Sequence, residues 1–380
     1  MANDQRARSR RQGEARGPGA ATDGGDGERR DGERTGPASR AEIDAQITQL
    51  LNAAGAHANR DQLREILTTA IRLATDGTDR LDLKITNAAL REMARAFRVF
   101  APYRQVQKVT MFGSARTLPV DPLYAQAREL AATLARNGWM VVTGAGAGIM
   151  AAGLEGAGRE HAFGINIRLP FEQEVDPLLV SDPKLVEMKY FFTRKLMLMK
   201  ESDGYVVLPG GFGTLDEAFE LLTLMQTGKG EPSPIVLLDV PGGTYWREWE
   251  RFVSAELARS GLISAEDRFL YRITDDVVAA ASEILGFYRN YHSRRWVGDL
   301  MVIRLRRETT DEELEDLNDR FGDLCRSGHI ERTGPLAPEE AEGDQLSLPR
   351  LVLAFDAGHH GRLRQLIDAL NALPERDSDL

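Results

Sequence analysis

Three short loops in this chain combine glycine with hydroxyl or basic side chains in a way that binds anions. The most complete is Pro209-Gly210-Gly211-Phe-Gly213-Thr214, which follows an apolar run from Tyr205 to Leu208 and precedes a helical pattern. A strand, a tight glycine turn and a helix N-terminus present free N–H groups and a positive dipole end, and glycine lets a phosphate approach the backbone closely. The loop is neither a GxxxxGK[ST] phosphate loop nor a GxGxxG fingerprint. Gly113-Ser114-Ala-Arg116 and Gly144-Ala-Gly146-Ala-Gly148 follow two further strand-like runs, Val109 to Phe112 and Trp139 to Thr143. Spacing leaves Thr214-Leu-Asp-Glu217 open to two readings. One is a capping box worth about 1 kcal/mol, with Thr214 capping the helix and Glu217 reaching back to its backbone. The other is a carboxylate held beside the anion site.

The elements around these loops set the architecture. Further apolar runs at Phe163 to Ile167 and Pro234 to Asp239 bring the central strands to five, alternating with helices that include one over 192–200 and others near 245–259 and 275–289. Such alternation predicts right-handed βαβ units and a parallel sheet with helices on both faces. Ligands of these sheets bind beyond the carboxyl ends of the strands, where all three loops fall. Residues 1–40 lack Val, Ile, Leu, Phe, Trp and Tyr and read as a disordered tail. Helical periodicity over 41–100 (Ile43, Ile47, Leu50, Leu63, Ile66, Leu90, Phe97) predicts a helical extension. The nucleotide-binding domain covers 101–295, and 296–380 reads as a small module of β-α-β-β-α order with a loop at 335–349. The fold class is α/β: a Rossmann-like doubly wound parallel sheet with a helical N-terminal extension and a small C-terminal α+β module.

Composition narrows the function. The chain has 380 residues, 42% hydrophobic and 28% charged, with a net charge of −10, which argues against a general nucleic-acid binder. Cys325 is the only cysteine, so neither an intrachain disulfide nor a cysteine metal cluster is expected. No apolar run reaches the roughly 18 residues of a membrane span. The arginine-containing start has no apolar segment after it, so a reduced, cytoplasmic setting is expected. His57, His161, His292, His329, His359 and His360 show no metal-ligand spacing, and no metal is expected.

Pro209-Gly-Gly-Phe-Gly-Thr-Leu-Asp-Glu217 resembles the PGGxGTxxE signature of the LOG family, known from cytokinin-activating enzymes and often mislabelled lysine decarboxylase. Arg194-Lys195, with Arg194 lying 23 residues before Glu217, matches that family's second signature. Met111 to Arg116 and Gly144 to Met150 sit where its first two strand-end loops do, and Asn166 to Gln173 and Tyr190 to Lys195 resemble the longer bacterial branch. The likeness covers roughly 105–290. In the second loop Ala145, Ala147 and Ala151 stand where the family pattern has a glycine, a proline and an acid.

The resemblance implies a Rossmann-like domain, dimeric or of higher homo-oligomeric order. Its implied activity is hydrolysis of nucleoside 5′-monophosphates, AMP-like or cytokinin riboside monophosphates, to free base and ribose 5-phosphate, without a cofactor. Cleaving an N-glycosidic bond needs a carboxylate to stabilise an oxocarbenium-like state or activate water, and a grip on the phosphate. The resemblance gives Glu217 the first task and Arg194 the orienting of substrate or carboxylate. Gly210, Gly211, Gly213 and Thr214 take the phosphate, with Gly113, Ser114, Arg116, Gly144, Gly146, Gly148 and Lys195 around the substrate. A non-catalytic nucleotide sensor or cofactor carrier on the same fold is the second reading. Pyridoxal-dependent decarboxylation is disfavoured, because no motif supplies a Schiff-base lysine with a partner for the pyridine nitrogen.

Overall fold

Seven parallel strands in the order β4-β3-β2-β1-β5-β6-β7 form the central sheet. They are β1 (Lys108–Phe112), β2 (Met140–Thr143), β3 (Ala162–Ile167), β4 (Leu185–Met188), β5 (Gly204–Val207), β6 (Ile235–Leu238) and β7 (Arg272–Thr274). The computed structural model describes residues 39–168 and 176–374. The expected tail lies outside the described residues except for Ser39 and Arg40, as does the tract 166–173 from 169 onward.

The described chain divides into two units, one ending at Asp79 and one beginning at Arg80. The first holds α1 (Arg40–Ala53) and α2 (Arg60–Thr75). A reciprocal capping box starts α1: Glu42 N donates to Ser39 Oγ at 3.3 Å and Ser39 N to Glu42 Oε2 at 2.7 Å. The second unit opens with α3 (Arg80–Phe100), whose Phe100 stacks on Phe163 of β3 with ring centroids 4.6 Å apart. Helices α4 (Pro122–Arg136), α5 (Ile149–His161), α6 (Phe191–Lys200), α7 (Phe212–Gln226), α8 (Tyr245–Phe252) and α9 (Val277–Gly286) connect or flank the strands.

Strands β1, β2, β3, β5 and β6 are buried along their whole length, which is why they read as continuous apolar runs rather than alternating ones. Successive side chains serve opposite layers. Val109 and Met111 join Leu130, Leu134 and Ile149 on one side, while Phe112 joins Phe163, Val207 and Leu221 on the other. Two strands escaped the sequence reading. β4 alternates half-buried and buried positions at the sheet edge, and β7 has only three residues. The expected helix at 245–259 is α8 continued by a π-helical turn, Val253–Ala258.

The order of strands reverses between β1 and β5, which pair from Val109↔Gly204 to Phe112↔Val207. That switch point opens a crevice beyond the strands' carboxyl ends.

The C-terminal part holds β8 (Tyr291–Val297), β9 (Leu300–Leu305), α10 (Asp311–Phe321), β10 (Cys325–Thr333), α11 (Ala337–Glu342), β11 (Arg350–Phe355) and α12 (His360–Ala372). Its sheet is antiparallel in the order β10-β11-β9-β8. Two corrections apply here. The polar His-Ser-Arg-Arg run concealed β8, and the stretch 335–349, expected as a loop, contains α11. Glu339 makes that helix necessary: it is fully buried and bonds Arg304 Nη2 at 2.6 Å and Arg350 Nε at 3.3 Å. No helix among the described residues is long and apolar enough to cross a membrane.

Candidate active site

A cavity of about 870 Å³ occupies the crevice at the switch point. Its walls include Gly113, Ser114 and Arg116 after β1, Gly144 after β2, and Gly210, Gly211, Gly213 and Thr214 after β5, together with Arg194 and Glu217. Hydrogen bonds stitch the loops together. Ser114 N donates to Pro209 O at 3.2 Å, and Ile149 N donates to Ser114 O at 3.0 Å, so one residue joins all three loops.

Steric need explains several glycines. A methyl on Gly210 would stand 2.1 Å from Thr214 Oγ1, and one on Gly144 would stand 2.1 Å from Arg194 Nη2. Gly148 has φ +67° and lies against the backbone of Ser114 and Ala115. Gly146 and Gly148 are buried behind the cavity and do not line it. Ala145, placed where the family pattern has glycine, takes the left-handed φ of +52° while fully buried. Its carbonyl accepts from Asp176 N at 3.0 Å, so the strain sits behind the cavity wall and not at its surface.

The two readings of Thr214-Leu-Asp-Glu217 separate here. Helix α7 begins at Phe212 with Gly211 as its N-cap, and no side chain caps it. Thr214 therefore stands at the third helical position and Glu217 one turn further in, so the capping box does not form.

Glu217 is 7% exposed, and its Oε2 has no hydrogen-bond partner among the described residues. Burial pushes its carboxyl up; Lys195 and Arg194 pull it down, Glu220 and Asp216 push it up further, and the net shift is upward. Lys195 does not line the cavity. It is buried on α6, with Nζ 2.8 Å from Asp216 Oδ2, 2.8 Å from Glu220 Oε2 and 3.5 Å from Glu217 Oε2. Burial alone would lower this ammonium, but its acidic neighbours outweigh that and hold it above its ordinary value. Asp216, the neighbour of Glu217 on α7, is exposed yet shares that lysine. Arg194 donates from Nε to Ile165 O at 2.9 Å, which ties its guanidinium to β3. Burial lowers its pKa against the opposing charge of Glu217.

Apolar and aromatic side chains complete the walls. Met150, Ile167, Phe191 and Leu198 give an apolar side, and Phe212 stands 95% exposed. Tyr245 donates its hydroxyl to Gly210 O at 2.7 Å. A tyrosine bonded to a backbone carbonyl 35 positions away leaves no local pattern to find.

The arrangement joins a glycine turn at a helix N-terminus, a buried carboxylate and a half-buried guanidinium in one crevice. A family model described as "possible lysine decarboxylase" matches residues 145–284. A probable cytokinin riboside 5′-monophosphate phosphoribohydrolase of Arabidopsis thaliana is 36% identical over 85 residues, 22% of this chain and 41% of the relative. A cytokinin riboside 5′-monophosphate phosphoribohydrolase of Mycobacterium tuberculosis is 32% identical over 131 residues, 31% of this chain and 66% of the relative. The chain thus spans under two thirds of the length of either protein. Among solved structures, the molybdenum cofactor carrier protein of Chlamydomonas reinhardtii is similar at 22% identity and a TM-score of 0.32, over 47% of this chain and 94% of that one. Over its central part the chain is thus similar to that family model and to these phosphoribohydrolases, and the motifs that resemble those of the LOG family gather around one cavity.

Proposed function

We propose that the chain hydrolyses the N-glycosidic bond of a nucleoside 5′-monophosphate, giving free base and ribose 5-phosphate. The observation that carries this reading is Glu217: a buried carboxylate, held by Lys195 at 3.5 Å from behind, on the wall of a cavity that also holds a glycine cradle and Arg194. The phosphate sits on the N–H groups of Gly210, Gly211 and Gly213 and the Thr214 hydroxyl, at the N-terminus of α7. This leaves the sugar C1′ beside Glu217. As the C1′–N bond breaks, its electron pair leaves with the base and the ionised Glu217 stabilises the cationic sugar. Water then bonds to C1′, and its proton passes through the carboxylate to the departing base. Arg194, held on β3, orients the carboxylate and substrate by charge-assisted hydrogen bonds.

Glu217→Gln keeps shape and removes charge. It abolishes release of adenine from AMP, followed by chromatography, with the melting temperature within a few degrees of wild type. Turnover retained in that variant would sink the assignment. Binding of AMP by the wild type without release of base would favour a carrier.

A further inference from the structure

We propose that Tyr245 is a positioning residue: its hydroxyl fixes the orientation of the Gly210–Gly211 peptide so that the Gly211 N–H faces the phosphate. The inference rests on the activity proposed above. In a trans peptide the C=O and the following N–H lie on opposite edges of one plane. Tyr245 Oη donates to Gly210 O at 2.7 Å, and holding that oxygen turns the Gly211 N–H the other way. The preceding carbonyl is held from the opposite side, since Pro209 O accepts from Ser114 N, after β1, at 3.2 Å. Strand β5 lies between β1 and β6, so the Tyr245 bond from the β6 side turns the Gly211 N–H toward the β1 side, where the switch-point cavity opens.

The anchor is rigid where the loop is not. Gly210 and Gly211 lack side chains and have the widest backbone freedom of any residues. The Tyr245 ring packs edge-on against Trp246, with centroids 4.8 Å apart at 85°, and Trp246 is fully buried with its Nε1 donating to Leu238 O of β6 at 3.2 Å. The hydroxyl thereby carries the position of the sheet into the most mobile type of backbone.

Tyr245→Phe, made in the full chain, removes only the hydroxyl. The expected result is a KM for AMP raised roughly ten-fold with kcat changed far less, the cost of one misaimed donor to a charged group. Ribose 5-phosphate, titrated by calorimetry, should bind more weakly by the same factor. Adenosine, which has no phosphate, should bind as it does to wild type, and the melting temperature should stay within about two degrees. Wild-type binding of ribose 5-phosphate matched by Tyr245→Phe overturns this inference alone. Equal weakening of adenosine and ribose 5-phosphate overturns it as well, since the hydroxyl would then act through general packing. A wild-type chain that binds neither AMP nor ribose 5-phosphate overturns the proposed activity and this inference together.

Discussion

Glu217 stands between opposed influences: burial and the neighbouring Asp216 and Glu220 favour its neutral form, Lys195 and Arg194 its charged form. The balance lies above the ordinary carboxylate value, so a reaction needing ionised Glu217 loses kcat/KM as pH falls through a point higher than the roughly 4.3 of a free glutamate. Lys195→Met removes the cation 3.5 Å from Glu217 and moves that acid limb to higher pH. A pH–rate profile with an unmoved limb would show that Lys195 does not tune the carboxylate. Glu217 also marks what sequence could and could not convey. Its motif was legible, but spacing allowed a cap because the helix start was placed near Thr214. Two residues of difference, Phe212 against Thr214, turn a capping pair into cavity side chains. The Lys195–Glu217 contact joins two helices, and no local pattern encodes it.

At the scale of the element, the loop after β2 separates the demands of the proposed site from those of folding. A methyl at Gly144 meets only the flexible ends of Arg194 and Met150. Gly144→Ala therefore leaves the melting temperature nearly unchanged and lowers AMP turnover roughly a hundred-fold by displacing the guanidinium. A methyl at Gly148 meets the backbone carbonyl of Ser114 at φ +67°. Gly148→Ala loses about 1–2 kcal/mol from the left-handed backbone before the collision is counted, and calorimetry should show a clear drop in melting temperature. Equal stability of the two variants would contradict this division. The loops were readable because each follows a buried apolar strand. β4, β7 and β8 were not, being short or edge strands whose polar positions break the pattern.

For the whole molecule, the C-terminal part closes on the far end of the helix that carries Glu217. Arg294 of β8 donates from Nη2 to Gly228 O at 2.9 Å and Gly230 O at 2.7 Å, just past the end of α7, where a cation complements the helix dipole. His360, 6% exposed at the start of α12, packs against Gly228, with the Phe355 ring 5.2 Å away. Burial and then Arg294 push the imidazole down to about 4, against the pull of Asp267. Between about 6.5, the ordinary histidine value, and about 4, the unfolded chain takes up a proton that the folded one refuses, so stability falls as pH falls through that window. Denaturant titrations of wild type and His360→Gln at pH 7 and pH 5 should show the smaller loss in the variant; equal losses would remove His360 from the account. The sequence located this part by its change of pattern, while its docking depends on contacts between residues more than sixty positions apart.

The clamp at Gly228 bears on how such a chain can be recombined. A donor of 101–290 to another protein would leave the Gly228 and Gly230 carbonyls without their arginine and expose the groove that His360 fills. The C-terminal sheet is thus less a removable cassette than the second jaw of a vice closed on α7, and a chimera that omits it needs a substitute cation at that end of the helix.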